Sequence, residues 1–212
     1  MKKSLKNAIC LLALVAITAP TFGAIGGTQH DFTGDAWASN LPCSPCHTPH
    51  AGAVQTAPLW NHAVSGATFT MYNNTNNANM GADLDGAVDA APTGTSLLCL
   101  SCHDGVTNMD AFGDNLGTTA MLNTAPGYIG TDLTLSHPIG ITYTTATATA
   151  DGTLHNPAVQ TSGLGSTIDA DLLVATKVEC SSCHDVHNDS SIAKLLRIDM
   201  TGDALCVTCH NK

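Results

Sequence analysis

Eight of the nine cysteines fall in four C-x-x-C pairs, Cys43/Cys46, Cys99/Cys102, Cys180/Cys183 and Cys206/Cys209, and a histidine follows each pair: His47, His103, His184 and His210. This pattern limits what the chain can fold into more than any other feature. Residues three and four apart share one face of a helical turn, so two thiols and an imidazole are presented together. Two such thiols can bond the two vinyl groups of one porphyrin while the next imidazole meets the iron from below. C-x-x-C-H is therefore the attachment signature of c-type haem. Paired C-x-x-C also occurs in zinc ribbons, and eight cysteines would suit a disulfide framework in an exported chain. Neither needs a histidine after every pair. Histidine makes up 10 of 212 residues, so four chance coincidences are of order one in 10⁵. The expectation is four covalently attached haem c groups, with the eight cysteines as anchors, the four motif histidines as proximal iron ligands, and no cysteine left for disulfides.

An iron that carries electrons rather than binding small molecules needs a second axial ligand. Six histidines lie outside the motifs: His30, His50, His62, His137, His155 and His187. Supply exceeds demand, so bis-histidine coordination is expected at all four irons. Met71, Met80, Met109, Met121 and Met200 are read as loop or packing residues. An internal repeat selects among the histidines. His30, Cys43–His47, His50 and Cys99–His103 in one half follow the same order as His137, Cys180–His184, His187 and Cys206–His210 in the other. Each half reads H…CxxCHxxH…CxxCH, and Pro58-Leu59-Trp60 aligns with Leu195-Leu196-Arg197. The distal ligands expected are His30, His50, His137 and His187. His62 aligns with Asp199 and His155 has no counterpart, so both are expected at the surface or in packing. His50 and His187 stand three residues past a proximal histidine and cannot reach the far face of the haem tethered there. They can reach a neighbouring haem packed against it, which implies close haem pairs.

Residues 1–24 read as a signal peptide: Lys2, Lys3 and Lys6 precede an apolar run, Ala8–Ala19, too short to span a bilayer comfortably. Thr21 and Gly23 suit a cut after Gly23, whereas a cut after Ala24 would place bulky Phe22 three residues before the bond. Cys10 lies inside the apolar run, not just after it, which argues against lipid modification. No second long apolar stretch exists, so no transmembrane helix is expected. Without the leader, 17 acidic side chains face four basic ones (Lys177, Lys194, Arg197 and Lys212), a net charge of −13 that disfavours nucleic acid as a partner. Eight aromatic residues remain there, too few for a conventional core, so the haems are expected to form it.

The fold class expected over 25–212 is a haem-dominated cytochrome of mostly irregular coil with short helices and few strands, in repeat halves of about 25–125 and 126–212. Short helical turns are expected around Ser96–His103, Val178–His184 and Ala204–His210. A helix over Thr167–Val174 would carry a capping box of Ser166 with Asp169. Thr142–Ala150 alternates β-branched residues and reads as a strand, and Gly66–Thr95 as loop. Asp83-Leu-Asp85-Gly86 lacks the downstream acidic ligand of a calcium loop and reads as a polar turn.

The segments GTQHDF, CSPCHTPH, APLWNHAV, LCLSCHDG, SHPIG, VECSSCHDVHN, KLLRID and ALCVTCHNK resemble the multihaem c-type cytochromes with doubled CxxCH motifs, and more narrowly the OmcE-type tetrahaem cytochromes that polymerise into extracellular filaments. The similarity spans Thr28 to Lys212, although Ala67–Pro92 and Tyr143–Ala175 carry none of its motifs. The resemblance implies bis-histidine haems, a largely irregular fold, a continuous haem stack through a homopolymer, and one distal ligand donated by a neighbouring protomer.

Three functions compete at this level. The first is an electron conduit, as a filament subunit outside the cell or at its surface, with redox partners at or outside the envelope and no enzymatic site. The second is a monomeric periplasmic shuttle. The third is a multihaem reductase with one open iron, which the surplus of histidines disfavours.

Overall fold

The computed structural model describes residues 25–38, 40–50 and 59–211; the expected leader lies outside them. Most of the chain is turn and coil. Five short helices occur among the described residues: α1 (Gly94–His103), α2 (Thr145–Asp151), α3 (Ile168–Leu172), α4 (Cys180–Cys183) and α5 (Ala204–Cys209). Strands β1 (Ile141–Thr142) and β2 (Lys177–Val178) pair antiparallel, with Ile141 opposite Val178. Short 3-10 turns cover Phe32–Gly34, Ala36–Ala38, Ala78–Met80, Ala193–Leu195 and Thr201–Asp203. No described helix is long and apolar enough to cross a membrane.

Apolar burial is thin and divided. One cluster joins Phe69, Met71, Leu100 and Leu133; a second joins Tyr143, Ala148, Ile168 and Leu172, with Cys209 packed against it. Each cluster holds a motif helix: Leu100 lies on α1 and Cys209 on α5. A chain with so few large buried side chains gains little hydrophobic stabilisation of its own. Met71 is one of the packing methionines, at 2% exposure.

Helices α1, α4 and α5 coincide with the three expected turns. The first motif forms only a single turn, closed by His47 N donating to Cys43 O at 2.8 Å. The strand expected over Thr142–Ala150 is wrong past Thr142: Thr145–Asp151 is helix α2. Thr144 caps it by accepting from Thr147 N, Gly152 ends it in the left-handed region, and Thr149 Oγ1 donates back to Thr145 O at 2.7 Å. The threonine hydroxyls thus serve helix ends and backbone, and the alternation that looked like a strand is chemical rather than geometric. At α3 the cap is Thr167, accepting from Ala170 N, so the Ser166–Asp169 box does not form; Ser166 N instead donates to Asp171 at 2.8 Å. Residues 66–95 are irregular apart from Ala78–Met80 and the start of α1. Within them, Gly86 lies against β1, where a Cβ would collide with the carbonyl of Thr142. That glycine serves close packing rather than a metal loop.

The repeat is visible in the backbone around the first and third motifs. Asn61 N donates to Cys46 O and Arg197 N to Cys183 O, both at 2.9 Å. Thr48 N donates to Leu59 O at 2.8 Å, and Asp185 N to Leu195 O at 2.7 Å. Leu59 and Leu195 both take the left-handed conformation, with φ of 53° and 57°. The side chains of Asn61 and Arg197 donate to the first residue between each cysteine pair, at Ser44 O and Ser181 O. His47 bridges Trp60, and His184 bridges Leu196. The spatial match is therefore Leu59 with Leu195 and Trp60 with Leu196, one residue off the register expected from sequence, because the second loop is one residue shorter. His62 then corresponds to Ile198 rather than Asp199.

Candidate functional site

The motif helices bring the cysteines of successive motifs together. Cys99 on α1 and Cys180 on α4 lie close enough for each to perturb the ionisation of the other. Cys46 lies close enough to Cys99 and Cys102 to disfavour their ionisation, and Cys206 lies close enough to Cys183, and Cys183 to Cys209, to do the same. Each attachment point thus neighbours the next in chain order. Burial pushes the thiols of Cys46, Cys102 and Cys209 up to about 11, 12 and 11. These three are neutral thiols at neutral pH. Among the described residues no group of three or more His, Cys, Asp or Glu side chains is arranged to hold a bare metal ion, and the eight cysteines are not joined as disulfides.

The histidines, in contrast, come in pairs. The ring centroids of His30 and His103 are 5.9 Å apart, those of His47 and His187 6.3 Å, and those of His137 and His210 6.4 Å. An imidazole nitrogen binds a metal at about 2.0 Å, with the ring centroid roughly 1.1 Å further out, so two imidazoles on opposite sides of one ion have centroids roughly 6 Å apart. Each pair joins a motif histidine to one of the four histidines singled out as distal. No ring contact among the described residues pairs His50 with His184.

Several rings are already oriented for metal. His103 Nδ1 donates to Gly127 O at 2.5 Å, His184 Nδ1 to Lys194 O at 3.0 Å, and His137 Nδ1 to Pro138 O at 3.1 Å. A carbonyl only accepts, so Nδ1 carries a proton and Nε2 is the nitrogen left to face a metal, the orientation a metal-ligating histidine takes. Gly127 makes the first of these contacts feasible: a Cβ there would lie 3.0 Å from His103 Cε1. His30 is held below its ordinary pKa, at about 4, first by burial and then by the nearby His103 and His184. It is a neutral imidazole at neutral pH, and its Nδ1 is buried without a partner. Phe32 stands edge-on to it at 6.0 Å, backed by Trp37. This donor set fits haem: thiols in pairs and imidazoles facing one another across the width of one metal ion.

The two histidines outside the scheme have other partners. His62 is 2% exposed; its Nδ1 meets Ala63 O at 2.7 Å and its Nε2 meets Met109 O at 3.2 Å. Cys102 Sγ is 3.4 Å from the same Nε2. His155 acts through its backbone: its amide donates to Cys209 O, and its carbonyl accepts from the Tyr143 hydroxyl at 2.6 Å. Three contributors were not foreseen: Trp60, edge-on to His47 at 6.1 Å; Gly127; and Glu179. Trp60 lay in a quoted segment, but nothing in the local sequence around Gly127 points to His103.

Residues 173–212 match the family of the doubled CXXCH motif. The match covers the third and fourth motifs and supports a place in the multihaem c-type cytochrome group. The CXXCH motifs indicate covalently bound haem c and electron transfer, and the mostly coil fold with its two-stranded sheet is consistent with that class. A search of curated proteins finds no match.

Proposed function

We propose that this chain is a tetrahaem electron conduit, the subunit of a polymer that carries electrons outside the cell. The reading is carried by the three histidine pairs at the spacing of two ligands on one metal. The cysteines Cys43/Cys46, Cys99/Cys102, Cys180/Cys183 and Cys206/Cys209 hold the four haems. His47 and His187 ligate the first iron, His103 and His30 the second, and His210 and His137 the fourth. The third has His184 as its proximal ligand. His50 is the one distal histidine left over. Both side chains are exposed, and they complete one another across a protomer boundary. The haems supply reversible one-electron chemistry at the iron. The chain holds each haem, orients the ligating imidazoles, and would fill the sixth position of each iron so that no substrate site remains. Bis-histidine ligation sets lower potentials than His/Met would.

Mass spectrometry of the purified exported protein, low-temperature EPR and electron microscopy test this together. Four covalent haems are expected. Polymer should show four low-spin irons, and dispersed monomer three low-spin irons and one high-spin. Fewer than four haems would overturn the tetrahaem reading. Four low-spin irons in a monomer that never polymerises would leave a shuttle. A persistent high-spin iron in the polymer would point to a reductase.

A further inference from the structure

At the junction of α1 and α4 the two halves of the repeat are fastened by buried polar groups. Glu179, immediately before Cys180, is 2% exposed. Its Oε2 accepts from Ser96 N at 3.1 Å, across 83 residues of sequence. In return Cys180 N donates to Ser96 Oγ at 3.0 Å, and the hydroxyls of Thr95 and Ser181 meet at 2.7 Å. Glu179 N donates to Ser182 Oγ at 2.9 Å, so the same residue also starts α4. Gly94, with φ of +52°, leaves room for the carboxylate, whose Oε1 would lie 3.4 Å from a Cβ there. Directly beyond this clasp, Cys99 and Cys180 lie close enough to perturb one another's ionisation.

A buried carboxylate here is costly, and fastening alone does not require one. A neutral acceptor such as glutamine would serve the Ser96 amide at a smaller desolvation cost. The nearest cation is already taken: Lys177 Nζ binds Asp89 at 2.6 Å. The Glu179 carboxylate is therefore compensated by amide donors and by the start of α1 rather than by a side-chain cation. Burial raises its pKa, while the Ser96 hydrogen bond and Lys177 pull it back. Negative charge close to an iron favours the ferric state.

We infer that Glu179 is a positioning residue for the two central haem sites, locking the Cys99–Cys102 and Cys180–Cys183 attachment turns together and placing one negative charge between them. The inference rests on the tetrahaem reading proposed above. Its test compares Glu179→Gln and Glu179→Ala with the unaltered holoprotein, after haem count and spin state have been measured in all three. Those first measurements judge the tetrahaem reading; the following ones judge Glu179.

In Glu179→Gln, melting should stay close to the parent because the amide oxygen still accepts from Ser96 N. Two of the four midpoint potentials should rise and two stay unchanged in a spectroscopically resolved redox titration. In Glu179→Ala, the same two should rise, and the magnetic coupling between the central irons should change by EPR. Glutamine should restore the coupling but not the potentials. Potentials unchanged in both variants, or all four shifted alike, would overturn the placement of charge. Unchanged coupling in Glu179→Ala would overturn the positioning role. If Glu179→Ala fails to mature with its haems, the glutamine potentials still decide the charge, and Ser96→Ala, which removes the hydroxyl bonded by Cys180 N, decides the positioning by the same coupling measurement.

Discussion

Around Cys43–His50 and Leu59–Asn61, and again around Cys180–His187 and Leu195–Arg197, the backbone closes the same loop with the same hydrogen bonds and the same left-handed leucine. The surroundings then treat the two units differently. At the position where the second unit has Ser182, whose hydroxyl accepts from Glu179 N, the first has Pro45, which offers no hydroxyl and no N–H. The second motif turn becomes helix α4 and is clasped to α1; the first stays a lone turn. His187 reaches His47 at ligand spacing, whereas His50 has no such ring partner among the described residues. Equal local frames thus have unequal reach, and what each histidine faces is decided by the neighbours that hold the frame in place.

The largest expected effect breaks this asymmetry directly. His187→Ala should turn one low-spin iron high-spin in monomer and polymer alike, with all haems retained. His50→Ala should leave the monomer spectrum unchanged and abolish the fourth low-spin iron of the polymer. EPR on size-separated fractions reads both; identical behaviour of the two variants would dissolve the distinction. Next are the side chains that brace each loop. Asn61→Ala and Arg197→Ala each remove a donor to a carbonyl within a cysteine pair and should each cost about 1–2 kcal/mol in denaturant unfolding.

Acid should treat the halves alike. Burial opposes ionisation of Asp110, but the amides of Thr119 and Thr118 outweigh it and hold its pKa below the usual carboxylate range. Asp171 is held low by Ser162, Ser166 and Arg197. A carboxyl lowered in the folded state contributes stability that is present above its unfolded value of about 4 and is lost as pH falls through the folded value. Hydrogen exchange at Thr118, Thr119 and Ser166 should therefore accelerate together below about pH 4. Exchange that accelerates in one half alone would show that the two loops are not equivalent. The smallest effect concerns the left-handed leucines. Leu59→Gly should raise stability by at most about 1 kcal/mol, because a left-handed non-glycine costs roughly that much. Leu195→Gly should gain less, since Leu195 is the more buried of the two. Melting of the two variants side by side checks the order.

The CxxCH attachment motifs were legible in sequence because their spacing is chemical. Three of the histidines chosen by the repeat, His30, His137 and His187, lie at ligand spacing from motif histidines. The helices failed where a hydroxyl has two uses. Thr144 and Thr167 cap helices, and neither alternation nor the Ser-x-x-Asp pattern separates a capping threonine from a strand or from its neighbour. The register of the repeat slipped by one because a single residue is missing from the second loop, and side-chain similarity among Leu59, Leu195 and Leu196 could not locate the gap.

The sequence by itself determined the attachment chemistry, the number of motifs, the surplus of histidine and the poverty of apolar core, since these depend only on residue type and short-range spacing. The tertiary structure alone decided which histidine faces which, that Cys99 lies near Cys180, that Gly127 lies against His103, and that Glu179 is buried between two motif turns. Each of these joins residues 24 to 140 positions apart. In a chain of mostly turns and coil, no local periodicity carries that information; it comes from long-range hydrogen bonds and packing that exist only once the chain has folded.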